Sequence, residues 1–296
     1  MAKFVHSSSV SRKDAVSDQA ADAQRCHTIY QINRLPEEEK QTIYVGLIPP
    51  QIFTRFRIDP ETLRNEEGKA VFQCSCRAKT CSVRIELRYR AADDDPLFLL
   101  EMRDTPFGDV EILFLNMTNP KSERFYIDRD AEGNDTVFAT MSRNLPEEVR
   151  AMQAGLAPGQ TRKGLRLFRS FWTQARMFGQ TFGIKQVKVE PLAYHNAIMH
   201  EFYGFRYITG REMMEWIDRE FAPGGELFQR LDGSTPFRHP SFARSIKGRS
   251  WAIHDGVLPE PWQCPRMYYS IEESPDRIFD PFTCRRISSR SSGLLT

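Results

Sequence analysis

The hydrophobic pattern of this chain changes near residue 145, from strand-like runs to helices alternating with strands, and that change limits its fold more than any other feature. Ahead of it, apolar residues recur at every second position. Val83, Ile85, Leu87 and Tyr89 alternate with Arg84, Glu86, Arg88 and Arg90 within 81–90, the pattern of a half-buried strand. The turn cluster ADDDP, the run 97–103, the turn DTPFGD and the run 110–117 follow, so these three runs predict an antiparallel meander. Segments 125–128 and 136–141, separated by DAEGND, predict a further hairpin. Behind residue 145 the spacing lengthens. A short helix is predicted from 145 to Gly155, with Pro158 beyond it. Leu165, Phe168, Phe171, Trp172, Ala175, Phe178 and Phe182, three and four apart, predict a long amphipathic helix over 164–182. A strand over 184–192, a short helix over 196–203 stopped by Gly204, a strand over 205–209 and a helix from 211 come next; 249–254 reads as a last strand. Meander, then helix, strand, helix, strand is the order of an α/β (α+β) fold.

Composition narrows the classes. Of 296 residues, 40% are apolar and 27% charged, values ordinary for a globular protein with its own core. A net charge of +2 gives no reason to expect a nucleic-acid partner. No apolar run is long enough to span a bilayer, and residues 1–18 have no apolar stretch like that of a secretory signal. Six cysteines are too few for a disulfide scaffold, so a cytoplasmic location is expected. Residues 1–28, rich in Ser, Ala and Asp, read as a flexible tail. Residues 29–143 read as a β-rich N-terminal portion, 144–260 as the segment that carries the chemistry, and 261–296 as a C-terminal extension and tail.

Within 144–260, PGQTRKGLRLF places Arg162, Lys163 and Arg166 about the expected start of the long helix. A helix N-terminus carries about half a positive charge, so each exposed cation there costs roughly 0.3–1 kcal/mol. A bound anion reverses that sign, since helix N-termini and cationic side chains hold phosphate together. Gly164 permits a close backbone approach or an unusual dihedral there. A solvated basic face is the plainer account of the same residues.

The order PGQTRKGLRLF, amphipathic helix, strand, YHNAIMHEFYGF, strand resembles the GNAT acyltransferase superfamily over about residues 156–210. The resemblance implies a mixed, mostly antiparallel sheet with helices on both faces, preceded here by the β-rich extension. It implies acetyl-CoA or another acyl-CoA as co-substrate and an amine as acceptor. It assigns Gln160, Thr161, Arg162, Lys163, Gly164, Leu165 and Arg166 to the turn around the coenzyme diphosphate, and Asn196 to the wall of the pantetheine channel. Asn196, Ala197, Ile198, Met199, Gly204 and Phe205 match the family's second motif, with one residue fewer than usual before Gly204. Thr161 stands where the family has Arg or Gln, and Arg166 replaces its second small residue. Residues 118–158 are longer than the usual link into the turn.

Amine attack on a thioester calls for a proton acceptor, and the departing thiolate gains from an acid. The resemblance puts His200 at the position of that acid, where an exposed helix residue is the plainer reading. Glu190, ending the strand beside the expected thioester, is the candidate base, and Glu111 a weaker one. Tyr203 reads as packing. A fold of this shape that binds without catalysing is the alternative.

Cys74, Cys76 and Cys81 lie within eight residues. Their C-x-C-x₄-C spacing suits zinc poorly, and period two puts Cys74 and Cys76 on one strand face. Buried thiols without metal are expected; a metal- or redox-responsive regulator is the competing reading. His254 and Asp255 read as a solvated pair or as part of an acceptor pocket.

Overall fold

A computed structural model describes residues 27–271 except 138 and 140, and the backbone of 279–280 and 285–286. Most of the tail expected over 1–28, and the C-terminal residues after 286, lie outside the described residues. His27 and Thr28 are docked: His27 Nδ1 lies 3.1 Å from the Phe182 carbonyl, and the Thr28 hydroxyl caps α1 (Ile29–Ile32).

Residues 29–56, which the sequence reading included in the β-rich portion, hold three helices. After α1 come α2 (Glu37–Val45) and α3 (Pro50–Phe56). Each of the latter two starts beside a proline, which suits a first helical turn, and α2 opens with three glutamates that favour the positive helix end. The inward side of α2 is Lys40 and Tyr44, polar-tipped residues that leave little apolar period to read. Tyr44 donates to Asn33 Oδ1, and Asn33 donates to the carbonyls of Thr80 and Ser82, fastening these helices to the sheet.

The expected meander is present as β1 (Phe72–Ser75), β2 (Ser82–Leu87), β3 (Phe98–Asp104) and β4 (Val110–Asn116), each antiparallel to the one before. Val83, Ile85 and Leu87 are buried, as their alternation predicts. Cys74 shares the inward face of β1 with Phe72, and Cys76 is buried just beyond it; Cys81 is exposed at the start of β2. Among the described residues no cluster of three or more His, Cys, Asp or Glu forms a metal-sized group.

Among the described residues of 125–128 and 136–141, where 138 and 140 lie outside the description, no strands form, and the Thr136 N–H donates to the Asp128 carbonyl. Asp130 instead accepts from the Glu132 and Asn134 N–H groups, and a single bridge links Arg129 to Asp135. Helix α4 (Leu145–Gln153) follows, capped by Asn144. The long helix α5 is Phe168–Thr181, four residues later than expected, because 161–165 is held extended against 117–125. Next come β5 (Gln186–Val189), α6 (Tyr194–Phe202), β6 (Arg206–Thr209), α7 (Arg211–Glu220), the short α8 (Glu226–Gln229), a 3₁₀ turn at Pro240–Arg244, α9 (Ile246–His254) and β7 (Arg266–Ser270). Residues 249–254, expected as a strand, thus belong to α9. Ser245 caps it by accepting from the Gly248 N–H, and it is buried on several sides, so no helical stripe marks it in the sequence.

Strand β7, placed by the sequence reading in the C-terminal extension, lies between β5 and β6 and is antiparallel to both. The sheet order is β1-β2-β3-β4-β5-β7-β6, a mostly antiparallel mixed α+β arrangement whose one parallel pairing is β4 with β5. One buried cluster runs from Ile29 to Ile271 through this sheet and its helices. A satellite cluster of Phe125, Ile127, Ala151, Leu156, Phe237 and Trp251 holds the 118–158 excursion to α9.

Candidate functional site

Strands β4 and β5 pair only from Val110 with Val187 to Ile112 with Val189. Beyond that, β4 continues to Asn116, while β5 ends at Val189 and the chain turns away through Glu190 and Pro191. Past Ile112 and Val189 the two strands no longer pair. At the parting point the register of β4 against β3 shifts: Glu101 faces Phe114 and Met102 faces Ile112, so Leu113 is an extra, bulged residue, 43% exposed. A bulge leaves its residue outside the ladder and re-aims the neighbouring groups. Residues Ile112, Phe114, Leu115 and Asn116 are only half-buried, in contrast to the buried β3 beside them.

The cationic turn closes one side of this gap. Asn119 N–H donates to the Lys163 carbonyl, Leu165 N–H to the Met117 carbonyl and Phe125 N–H to the Thr161 carbonyl, which zips the turn to the chain leaving β4. Gly164 bridges Thr118 in this pairing, and a Cβ there would meet the Met117 carbonyl at an ordinary 3.5 Å. The unusual dihedral falls instead on Arg166, at φ 60. Gln160 accepts from the Ala157 N–H through Oε1, and Leu165 is buried. Arg162 faces inward: it pairs with Asp95 at 2.7 Å and donates to the Ser122 carbonyl, while Arg124 bridges Asp95 and Asp128. It braces the turn. Lys163 and Arg166 remain exposed, and α5 starts with no side-chain cap on its first N–H groups.

Helix α6 forms the next wall. Asn196 is partly buried in its first turn and its carbonyl meets His200 Nδ1 at 2.7 Å. A carbonyl only accepts, so Nδ1 carries the proton and Nε2 a lone pair. The ring stands edge-on to Phe168 and Phe205, and burial lowers its pKa to about 4. With the proton on Nδ1 and that lowered pKa, His200 has no Nε2 proton to offer a thiolate at neutral pH, which weighs against the acid role expected for it. His195 lies 2.9 Å from Ser250 Oγ on α9; burial, then the charge of Lys247, lowers its pKa to about 3.

Glu190 is exposed at the end of β5, beside the parting point. Glu111 is paired with Arg103 at 2.7 Å in the part of β4 that still pairs with β5. Tyr203 packs on Phe168, with ring centroids 4.5 Å apart. Two residues that sequence reasoning missed stand here as well. Cys264, two residues before β7, has its thiol pKa raised first by burial, with the Glu190 charge a smaller contribution. Lys247 of α9 donates to the Gly155 carbonyl just ahead of the turn. Its ammonium pKa is lowered first by burial and then by Arg166 and Lys163.

His254 and Asp255 take neither role considered for them. His254 and Arg143 bind Glu148, and Asp255 joins Arg143 to Arg238, all in the seam between α4 and α9. Open depressions of about 490 Å³ at Phe53, Arg57 and Ile58 and about 270 Å³ at Asp94, Arg124 and Tyr126 do not include the gap between β4 and β5. No helix among the described residues is long and apolar enough to cross a membrane. Compared with protein families, curated proteins and solved structures, the chain gave no match.

Proposed function

We propose that this chain is an acyl-CoA-dependent N-acyltransferase of GNAT type, with the acyl-thioester lodged where β4 and β5 part. The observation that carries this reading is the coincidence of three features at one place. The parallel pair opens, β4 bulges at Leu113, and a cationic turn leads into α5 on the same side. The diphosphate would lie against the uncapped start of α5 beside Arg166, and the pantetheine arm would run between the turn and Asn196 into the gap. Backbone freed by the bulge would donate to the acyl carbonyl as its oxygen becomes negative. In the step itself the amine nitrogen attacks the carbonyl carbon, the C–S bond breaks, and the coenzyme leaves as thiolate. The ammonium proton passes to Glu190, directly or through water. Water protonates the thiolate in place of His200.

His200 is also the observation that favours a second reading, a binding protein without turnover. Two measurements decide. Calorimetry with coenzyme A and acetyl-CoA should give saturable one-to-one binding, and Gly164→Glu should abolish it by placing bulk and negative charge at the turn. Release of free thiol from acetyl-CoA with a panel of amines should then exceed the amine-free rate, and Glu190→Gln should lower it about 10²-fold or more with little change in coenzyme affinity. Binding without release selects the second reading. No binding of any coenzyme form overturns both.

A further inference from the structure

Strand β1 sets two thiols side by side beneath α2. Exposure alternates from Phe72 to Cys76, so Cys74 and Cys76 point to the same, inward face. Cys76 is 5% exposed and Cys74 half-buried, and both pack in the main core. Two residues of extended chain span only about 6.5–7 Å, so the sulfurs meet and hydrogen-bond. Above them lies an ion pair. Lys40 of α2, 7% exposed, donates to the Cys76 carbonyl at 3.4 Å and pairs with Glu37 at 2.7 Å. The hydrogen bond to Glu37 raises the Lys40 pKa against the opposing effect of burial, so the ammonium stays charged beside the thiols. Glu37 itself stands in water, with 71% of its side chain exposed, and turning away from Lys40 costs it little.

The donor set selects the ion it would take. Zinc asks for four ligands, and among the described residues no third His, Cys, Asp or Glu joins the two thiols in a metal-sized group. Cys81, beyond the turn that follows Cys76, is exposed. Copper(I) is the soft ion that thiolates select, and a pair of sulfurs in line satisfies it. A copper(I) bis-thiolate carries one negative charge, and the Lys40 ammonium is already fixed where that charge would appear.

We propose that Cys74 and Cys76 hold one copper(I) ion between their sulfurs, with Lys40 as its counter-charge. Each thiol releases its proton to solvent as its sulfur–copper bond forms, so one ion enters, two protons leave and no oxidation state changes. Glu37 swings into water as the bis-thiolate takes over the ammonium. The site lies on β1, three strands from β4 in the sheet, and does not depend on the acyl-CoA reading.

The test titrates the reduced full-length protein, without oxygen, with copper(I) held by a chromogenic copper(I) chelator. The wild type should withdraw one equivalent from the chelator, and X-ray absorption should show two sulfur ligands and no nitrogen or oxygen. Cys74→Ser and Cys76→Ser should each abolish the withdrawal, while Cys81→Ser and Cys264→Ser leave it unchanged. Cys74→Ser alters the half-buried position and should keep the melting temperature of the metal-free wild type, so it decides the matter even if Cys76→Ser fails to fold. Lys40→Met should weaken copper binding about 10–100-fold, as loss of a partner outside the ligand set does. No withdrawal by the wild type, withdrawal that survives in Cys74→Ser, or zinc bound by the same pair as tightly as copper(I) would overturn the proposal.

Discussion

At φ 60, Arg166 holds its Cβ against the following carbonyl, a conformation that costs an L-residue roughly 1–2 kcal/mol. The site needs a left-handed residue there, where a glycine would be at ease, and the chain places a cation instead. Arg166→Gly should therefore have opposite effects on two measurements. Relief of the backbone, partly offset by the roughly 0.5–1 kcal/mol of extra freedom of glycine in the unfolded chain, should leave the denaturation midpoint unchanged or slightly higher. Coenzyme affinity should fall with the lost charge. A lower midpoint with unchanged affinity would mean that the side chain supports the fold and not the ligand. The two histidines of α6 give a pH signature. Their folded pKa values, about 3 for His195 and about 4 for His200, lie below the ordinary 6.5. Unfolded imidazoles take up protons that the folded rings refuse, so stability is full above pH 6.5 and declines as pH falls from there towards 4. His200→Gln should flatten part of that decline in urea titrations, and the His200 ring resonance should hold its neutral shift until near pH 4. A resonance titrating near 6.5 would restore the acid role. The spacing of IMHEFYGF reveals His200 as a motif position but not its protonation, which depends on Phe168, thirty-two residues earlier in the chain.

Between elements, the seam of α4 and α9 replaces apolar contact with charge. Burial opposes ionisation of Glu148, yet hydrogen bonds and charge from His254 and Arg143 hold its carboxyl below the usual carboxylate range. Such a group stabilises the fold at neutral pH and loses that contribution as pH falls from the ordinary carboxylate value through its folded pKa. Glu148→Gln should leave Arg143 and His254 without their partner and cost about 3 kcal/mol in equilibrium denaturation. It should also loosen α9, lowering the protection of its amides against hydrogen exchange; unaltered protection would show that the helix does not depend on the seam. The elements most legible in the sequence were those with charged residues alternating with apolar ones, such as β2, where Arg84 and the Glu86 it pairs with alternate with the buried Val83, Ile85 and Leu87. Helix α9 escaped because Gly248, Ser250, Trp251, Ala252 and Ile253 are all buried, which erases the helical stripe. Strand β7 did carry a signal: the buried Met267 and Tyr269 alternate with the partly exposed Tyr268 and Ser270, but the run is only five residues long.

Across the whole molecule, the candidate site depends on a strand far along the chain from the turn it serves. The gap between β4 and β5 exists only if β5 is held on its other edge, and β7 does this through the pairs Gln186 with Ser270 to Val189 with Met267. The same strand carries β6, so it closes the second half of the sheet onto the first. Met267, Tyr269 and Ile271 are 0%, 4% and 6% exposed, and Tyr269 meets Trp172 of α5 edge-on at 4.9 Å, so β7 also seats the helix that begins at the cationic turn. A boundary at 261, natural to a reader who follows only strong periodic segments, cuts through this arrangement. A chain ending at residue 260 should consequently lose its cooperative unfolding transition and its near-ultraviolet circular dichroism, because β6 would have no partner and β5 would present an open edge and a bared apolar face. Coenzyme binding should vanish with them. A shortened chain that still unfolded in one sharp transition and still bound coenzyme A would show that β1 to β5 and their helices hold the site without the strand between β5 and β6.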